Sequence, residues 1–169
     1  MELNEAKSKF INTWGMLGSQ WGINRTMSQI YALLLITPGA ISADDIMEQL
    51  SISRGNANMN LRALLDWGLI YKELRPGERR EFFLADKDIW KAAKTIMEQR
   101  KKRELEPVIK VLTELSQEVS GEPKEVAEFK TVINDLNKFS MYADNLLQTM
   151  MMADRNWMFN SFFKNFFGK

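Results

Sequence analysis

The stretch "SRGNANMNLRALLDWGLI", residues 53–70, decides the fold. Ala57, Leu61 and Leu64 recur at the i, i+4, i+7 spacing of an amphipathic helix with one buried side. Asn56, Asn58 and Asn60 put three poor helix formers into five residues of that same helix, each costing up to about 0.7 kcal/mol relative to alanine. None of these amides adds to a core, so something outside the helix should require them. On a helical wheel Gly55, Met59, Arg62 and Asp66 point away from the leucines, and Asn56 and Asn58 flank them on opposite edges. Ser53 is placed to cap the helix, and Gly68 suits the left-handed position after its end, near Trp67.

Downstream the period changes from helical to alternating. "LIYKEL" and "EFFLA" predict two strands joined by "RPGERR", whose Pro76-Gly77 pair is a turn signal. Upstream, Ser42 predicts the start of a short helix with Asp44 and Asp45 in its first turn and Ile46 and Leu50 inward. Before it, Thr26 and Gln29 have capping-box spacing ahead of "IYALLLI", and Thr37-Pro38-Gly39 closes that helix. Leu3, Phe10, Trp14, Leu17 and Trp21 predict a first helix ending at "GSQWG". Helix, short helix, turn, helix and two-stranded hairpin is the order of a winged helix-turn-helix.

Beyond Asp88 only helical periodicity remains. Ile89, Ala93, Ile96 and Met97 begin a long helix that crosses "RKKRE" and resumes through Leu105, Val108, Leu112, Leu115 and Val119, with a kink expected at Pro107. After the "SGEP" break, Val126, Phe129, Ile133, Leu136, Ser140, Ala143, Leu147 and Met150 step by three and four, and Val132, Phe139 and Leu146 widen the stripe. So wide a stripe needs more than one neighbour, and a second copy of the chain would supply it. The aromatic tail, with Trp157, Phe159, Phe162, Phe163, Phe166 and Phe167, is expected to pack into that dimer core.

Composition narrows the chemistry. The 169 residues contain no cysteine and no histidine, which excludes disulfides, thiolate or imidazole metal ligands and nucleophilic cysteine. An enzyme is therefore not expected, nor is a cofactor or metal. The first ten residues lack the apolar core of a signal peptide, and "YALLLI" falls far short of a membrane span, so a cytoplasmic location is expected. Net charge is only +1, but residues 51–80 hold six bases against three acids, while the rest of residues 1–90 holds four against eight. The basic patch coincides with the asparagine-rich helix.

That coincidence carries the functional reading. Asparagine can pair with adenine through two hydrogen bonds, arginine with guanine, and methionine can touch a thymine methyl group. Gly55 would let the backbone come close to a base edge. Arg75, Arg79 and Arg80 on the wing can reach phosphates or a narrow minor groove. The candidate DNA-binding set is Ser53, Arg54, Gly55, Asn56, Asn58, Met59, Asn60 and Arg62 on the helix, with Arg75, Arg79 and Arg80 on the wing. The competing reading is a winged-helix protein-interaction scaffold, which would keep the leucines but has no use for Asn56, Asn58, Arg62 and Arg79 together.

The run from Ile52 to Phe83 resembles the GbsR branch of the MarR-like winged-helix transcriptional regulators, in its Ser53-Arg54-Gly55-Asn56 start and its Pro76-Gly77-Glu78-Arg79 turn. Asn58 stands where many members have serine, so an operator sequence does not transfer. The resemblance implies a dimeric regulator, often a repressor, sometimes tuned by a small-molecule effector such as choline; Trp14, Trp21 and Tyr31 are aromatic candidates for lining such a pocket. The expected protein is mainly α: residues 1–23 a packing or dimerisation helix, 24–90 the winged helix, and 91–169 long helices for dimerisation and regulation. Its expected partners are double-stranded DNA with two-fold symmetry and a second copy of itself, with no membrane.

Overall fold

The computed structural model describes residues 1–152, in two compact units, Met1–Ala92 and a second beginning at Ala93. The expected packing of the aromatic tail, Trp157 to Phe167, lies outside the described residues. In the first unit, helix α1 (Leu3–Gln20) lies on α2 (Arg25–Ile36), and α3 (Ala43–Leu50) and α4 (Arg54–Asp66) follow. The predicted strands are β2 (Ile70–Glu73) and β3 (Phe82–Ala85). A third strand, β1 (Ile41–Ser42), pairs antiparallel with β3 through Ile41 opposite Phe83 and Ser42 opposite Phe82, giving the order β1-β3-β2. Two residues are too few for an alternation signal, which is why the sequence shows only the hairpin. As the central strand, β3 buries Phe82, Phe83 and Ala85.

The core collects the apolar positions the sequence spacing selects. Ile30 and Leu34 of α2, Ile46 of α3, Leu64 of α4, Ile70 of β2 and Phe83 of β3 are all buried almost completely. Helix ends are fixed by local hydrogen bonds. Ser42 and Asp45 form a reciprocal capping box at α3, with the Ser42 N–H donating to Asp45 Oδ2 at 2.9 Å and the Asp45 N–H to Ser42 Oγ at 3.2 Å. At α2 the cap is Asn24, whose side chain accepts from the Met27 N–H at 3.1 Å, two residues before the Thr26 position expected from sequence. Asparagine is as good a cap as threonine, so local spacing alone did not separate the two. The far end of α2 is closed by Lys87, whose ammonium donates to the carbonyls of Leu34 at 2.7 Å and Thr37 at 2.6 Å, a cation at the negative end of the helix dipole.

Gly68 turns the chain from α4 into the sheet. Its φ of +73° is the left-handed geometry that glycine adopts without cost, and the Leu69 N–H donates to Leu64 O at 3.0 Å while the Gly68 N–H donates to Leu65 O at 2.9 Å. This pair of bonds satisfies the last carbonyls of α4 and aims Leu69 and Ile70 into the core.

Helix α5 (Ile89–Arg100), which begins in the last residues of the first unit, passes through one π-helical turn, Lys101–Leu105, into α6 (Glu106–Glu118), and α7 spans Pro123–Met152. The kink expected at Pro107 is replaced by that π turn just before it, where the Glu106 N–H reaches back to Lys101 O. Pro107 has no N–H to give, and it sits in the first turn of α6, where none is needed. The wide stripe of α7 resolves into two seams. Ile133, Asn137, Ser140 and Asp144 face α6 and the π turn: Asn137 Nδ2 donates to Thr113 Oγ1 at 3.2 Å, and Lys101 Nζ pairs with Asp144 at 2.9 Å. Phe129, Val132, Leu136, Phe139 and Leu146 form the second seam at heptad spacing, and they remain exposed, Phe139 by 72% and Leu146 by 62%. Among the described residues, no helix is long and apolar enough to cross a membrane.

The crossing of α1 over α2 predicts a sign. A methyl group on Gly18 of α1 would lie 1.9 Å from Ser28 Oγ of α2, whereas one on Gly15 would meet the flexible Gln29 side chain at 2.6 Å. Alanine is the better helix former, yet Gly18→Ala should lower the melting temperature by several degrees, because overpacking costs about 1–3 kcal/mol. Gly15→Ala should cost less. Thermal denaturation by circular dichroism checks the order, and a Gly18→Ala protein as stable as the parent would refute the crossing geometry.

Candidate nucleic-acid interface

The three asparagines of α4 separate into two tasks. Asn60 is only 3% exposed, and its side-chain amide donates to Asn56 O at 2.8 Å and to Asn56 Oδ1 at 2.7 Å. Asn56 in turn donates through Nδ2 to Thr26 Oγ1 in the first turn of α2, at 3.4 Å. The relay ties the start of α4 to α2, and a buried amide that completes its hydrogen bonds this way holds one geometry rather than several. Asn60, included in the candidate set from sequence, therefore does not share the outward face, and Asn56 is half-buried beside it. Hydrogen bonding back to the carbonyl four residues earlier is what a mid-helix asparagine can do and leucine cannot.

Arg54, Gly55, Asn58, Met59 and Arg62 remain outward, with Met59 61% exposed. Ser53 caps the helix by accepting from the Asn56 N–H at 3.3 Å. Nothing lies within 4 Å of where a Gly55 side chain would begin. A helical glycine costs about 1 kcal/mol relative to alanine, and among the described residues no neighbour requires it.

The wing divides in the same way. Its turn places Pro76 and Gly77 at the two central positions, with φ +81° at Gly77 and the Glu78 N–H donating to Arg75 O at 3.1 Å. Arg75, also in the candidate set, is held by the fold on three sides. Its guanidinium stacks 3.9 Å from the Phe82 ring centroid, donates through Nη2 to Ala40 O at 3.1 Å, and pairs through Nε with Glu73 at 2.7 Å. Arg80 pairs with Glu78 at 3.3 Å. Among the described residues, no acid is paired with Arg62 or Arg79.

Asn58 stands between two shallow concavities. One, of about 140 Å³, is lined by Asn58, Leu61, Arg62, Lys72, Glu81 and Phe83, and the other, of about 180 Å³, by Asp44, Met47, Arg54, Asn58, Arg80 and Glu81. Lys72, Glu81 and Asp44 are thus part of the face, although the candidate set drawn from sequence did not include them. The available signal was a lysine and a glutamate flanking the hairpin at equal distances from Pro76-Gly77. The Asp45 carboxyl is held below the usual range by hydrogen bonds from Ser42, so it adds a fixed negative charge to this end of the molecule. Tyr31, by contrast, belongs to the core: it is 4% exposed and burial, with Asp86 and Tyr71 nearby, pushes its hydroxyl up to about 12, so it stays protonated. Among the described residues no group of acids could hold a metal ion.

Residues 21–81, which span α2 to the wing, match the MarR family model. No curated protein matches the chain. A solved structure described as a transcriptional regulator is similar to it, with a TM-score of 0.63 at 17% identity over 86% of this chain and 95% of that one. The residues that carry the outward face of α4 and its wing thus form a winged helix-turn-helix, over a stretch that is similar to the MarR family.

Proposed function

We propose that the protein is a sequence-specific, double-stranded DNA-binding transcriptional regulator, acting as a homodimeric repressor in the cytoplasm and catalysing no reaction. The observation that carries this reading is the outward face of α4, where Gly55 leaves open space beside Asn58, Met59 and Arg62. In the major groove, Asn58 would meet an adenine edge and Arg62 a guanine, while Gly55 lets the helix backbone approach the duplex. Arg79, and Arg80 once it leaves Glu78, would take phosphates or the minor groove from the wing. Asn56, Asn60 and Arg75 contribute by holding these elements in place.

The exposed heptad seam of α7 supports the dimer. Phe129, Val132, Leu136, Phe139 and Leu146 form the kind of apolar stripe that a second copy covers, which would pair two α4 helices for two half-sites. The Ser53-Arg54-Gly55-Asn56 start and the Pro76-Gly77 wing support the GbsR branch. An effector that favours one spacing of the two reading helices would then change DNA affinity.

Selection of bound duplexes from random DNA should return a consensus with two-fold symmetry, and light scattering about twice the 19.6 kDa chain mass. With that duplex in hand, Gly55→Ala should melt higher than the parent, by the roughly 0.5–1 kcal/mol that separates glycine from alanine in a helix, and yet bind the selected duplex more weakly. Arg79→Ala should weaken binding to selected and random duplexes alike and lower the salt slope by about one unit. A Gly55→Ala protein that is stabilised and binds as before, together with an unaffected Arg79→Ala, would favour the scaffold reading instead.

A further inference from the structure

The cations of the candidate interface are largely answered by carboxylates of the same chain. In the two concavities beside Asn58, Arg54 pairs with Asp44 at 3.5 Å and Lys72 with Glu81 at 2.5 Å, and on the wing Arg75 pairs with Glu73 and Arg80 with Glu78. Glu81 lines both concavities. None of these acids is buried, and the pair partners Asp44 and Glu81 have side chains 55% and 58% exposed. Exposed pairs of this kind add little to stability, so the fold does not depend on them. Their position is what distinguishes them, since they stand where a polyanion would be bound.

We infer that Asp44 and Glu81 are specificity-determining residues: their carboxylates compete with phosphate for Arg54 and Lys72, and so hold down affinity for any DNA whose bases do not engage Asn58 and Arg62. Affinity for random DNA comes from cations that neutralise phosphates and release counterions. A cation already paired within the protein releases fewer counterions on contact and must first give up its partner. A carboxylate near the backbone also repels the phosphates. Both effects fall on every sequence equally, whereas the base contacts of α4 compensate them only on a matching site. The near-neutral net charge of +1 fits a protein that does not rely on bulk attraction to nucleic acid. This inference rests on the DNA-reading proposal for its biological meaning, but the competition itself can be measured without it.

The test compares Asp44→Asn/Glu81→Gln with a control of equal charge change at residues that line neither concavity, Glu114→Gln/Glu118→Gln on α6. Two readouts are taken: salt needed to elute each protein from heparin, and affinity for a random-sequence duplex against salt. Freeing two cations should tighten random-duplex binding about tenfold, steepen the salt slope by up to about two units and delay heparin elution relative to the control. Melting temperature should stay near the parent value. A double variant indistinguishable from the control on heparin and duplex overturns the inference, whatever the parent binds. If the variant elutes later than the control but neither it nor the parent prefers any duplex, the competition stands and the DNA-reading proposal falls.

Discussion

Helix α4 is tied to α2 by one short relay of hydrogen bonds, from Asn60 to Asn56 and from Asn56 to Thr26, on which the proposed reading face depends. Apolar packing of Ala57, Leu61 and Leu64 turns that face of α4 onto the core, and the relay adds a directional constraint to it. Hydrogen bonds are directional. By joining the first two turns of α4 to the first turn of α2, the relay holds the outward set that the apolar stripe selects. The cap at Ser53 and the Gly68 turn fix the two ends of the same helix, so its position along the axis is set as well.

A similar economy governs charge. Arg75 is committed to Phe82, Ala40 and Glu73, and it anchors the wing to the strand edge near β1 instead of presenting a free guanidinium. Among the described residues Arg62 and Arg79 have no acid paired with them, while Arg54, Lys72 and Arg80 are paired with Asp44, Glu81 and Glu78. Adjacent arginines on one wing thus have different roles, and the difference lies in their partners rather than in their residue type.

Much of this was legible in the sequence where a pattern is local. Helical spacing in residues 53–67, the Ser42 and Ser53 caps, Gly68 and Pro76-Gly77 each carry their own stereochemical reason, and the helices and hairpin lie where those reasons put them. What could not be read is what depends on distant partners. Nothing within "RGNANMN" distinguishes an asparagine that meets Thr26, thirty positions earlier, from one that meets solvent, since a helical wheel knows the azimuth of Asn60 but not the reach of its amide. Strand β1 was invisible because two residues carry no period, and the π turn because Pro107 marks a break without choosing its form. The α7 stripe was recognised, but its division into a mixed seam against α6 and an exposed apolar seam requires knowing where α6 lies.

The central claim is that Asn60 holds the helix and Asn58 reads from it, two positions apart in one sequence motif. The direct measurement is the melting temperature, together with affinity for the selected and for a random duplex, of Asn58→Ala and Asn60→Ala side by side. Asn60→Ala should melt several degrees lower, since it leaves the half-buried Asn56 amide without its partner at a cost of about 1–3 kcal/mol. Asn58→Ala should melt at or slightly above the parent and lose about 1–3 kcal/mol of affinity on the selected duplex, with random-duplex affinity unchanged. An Asn58→Ala protein that melts lower and binds both duplexes as the parent does would contradict the account.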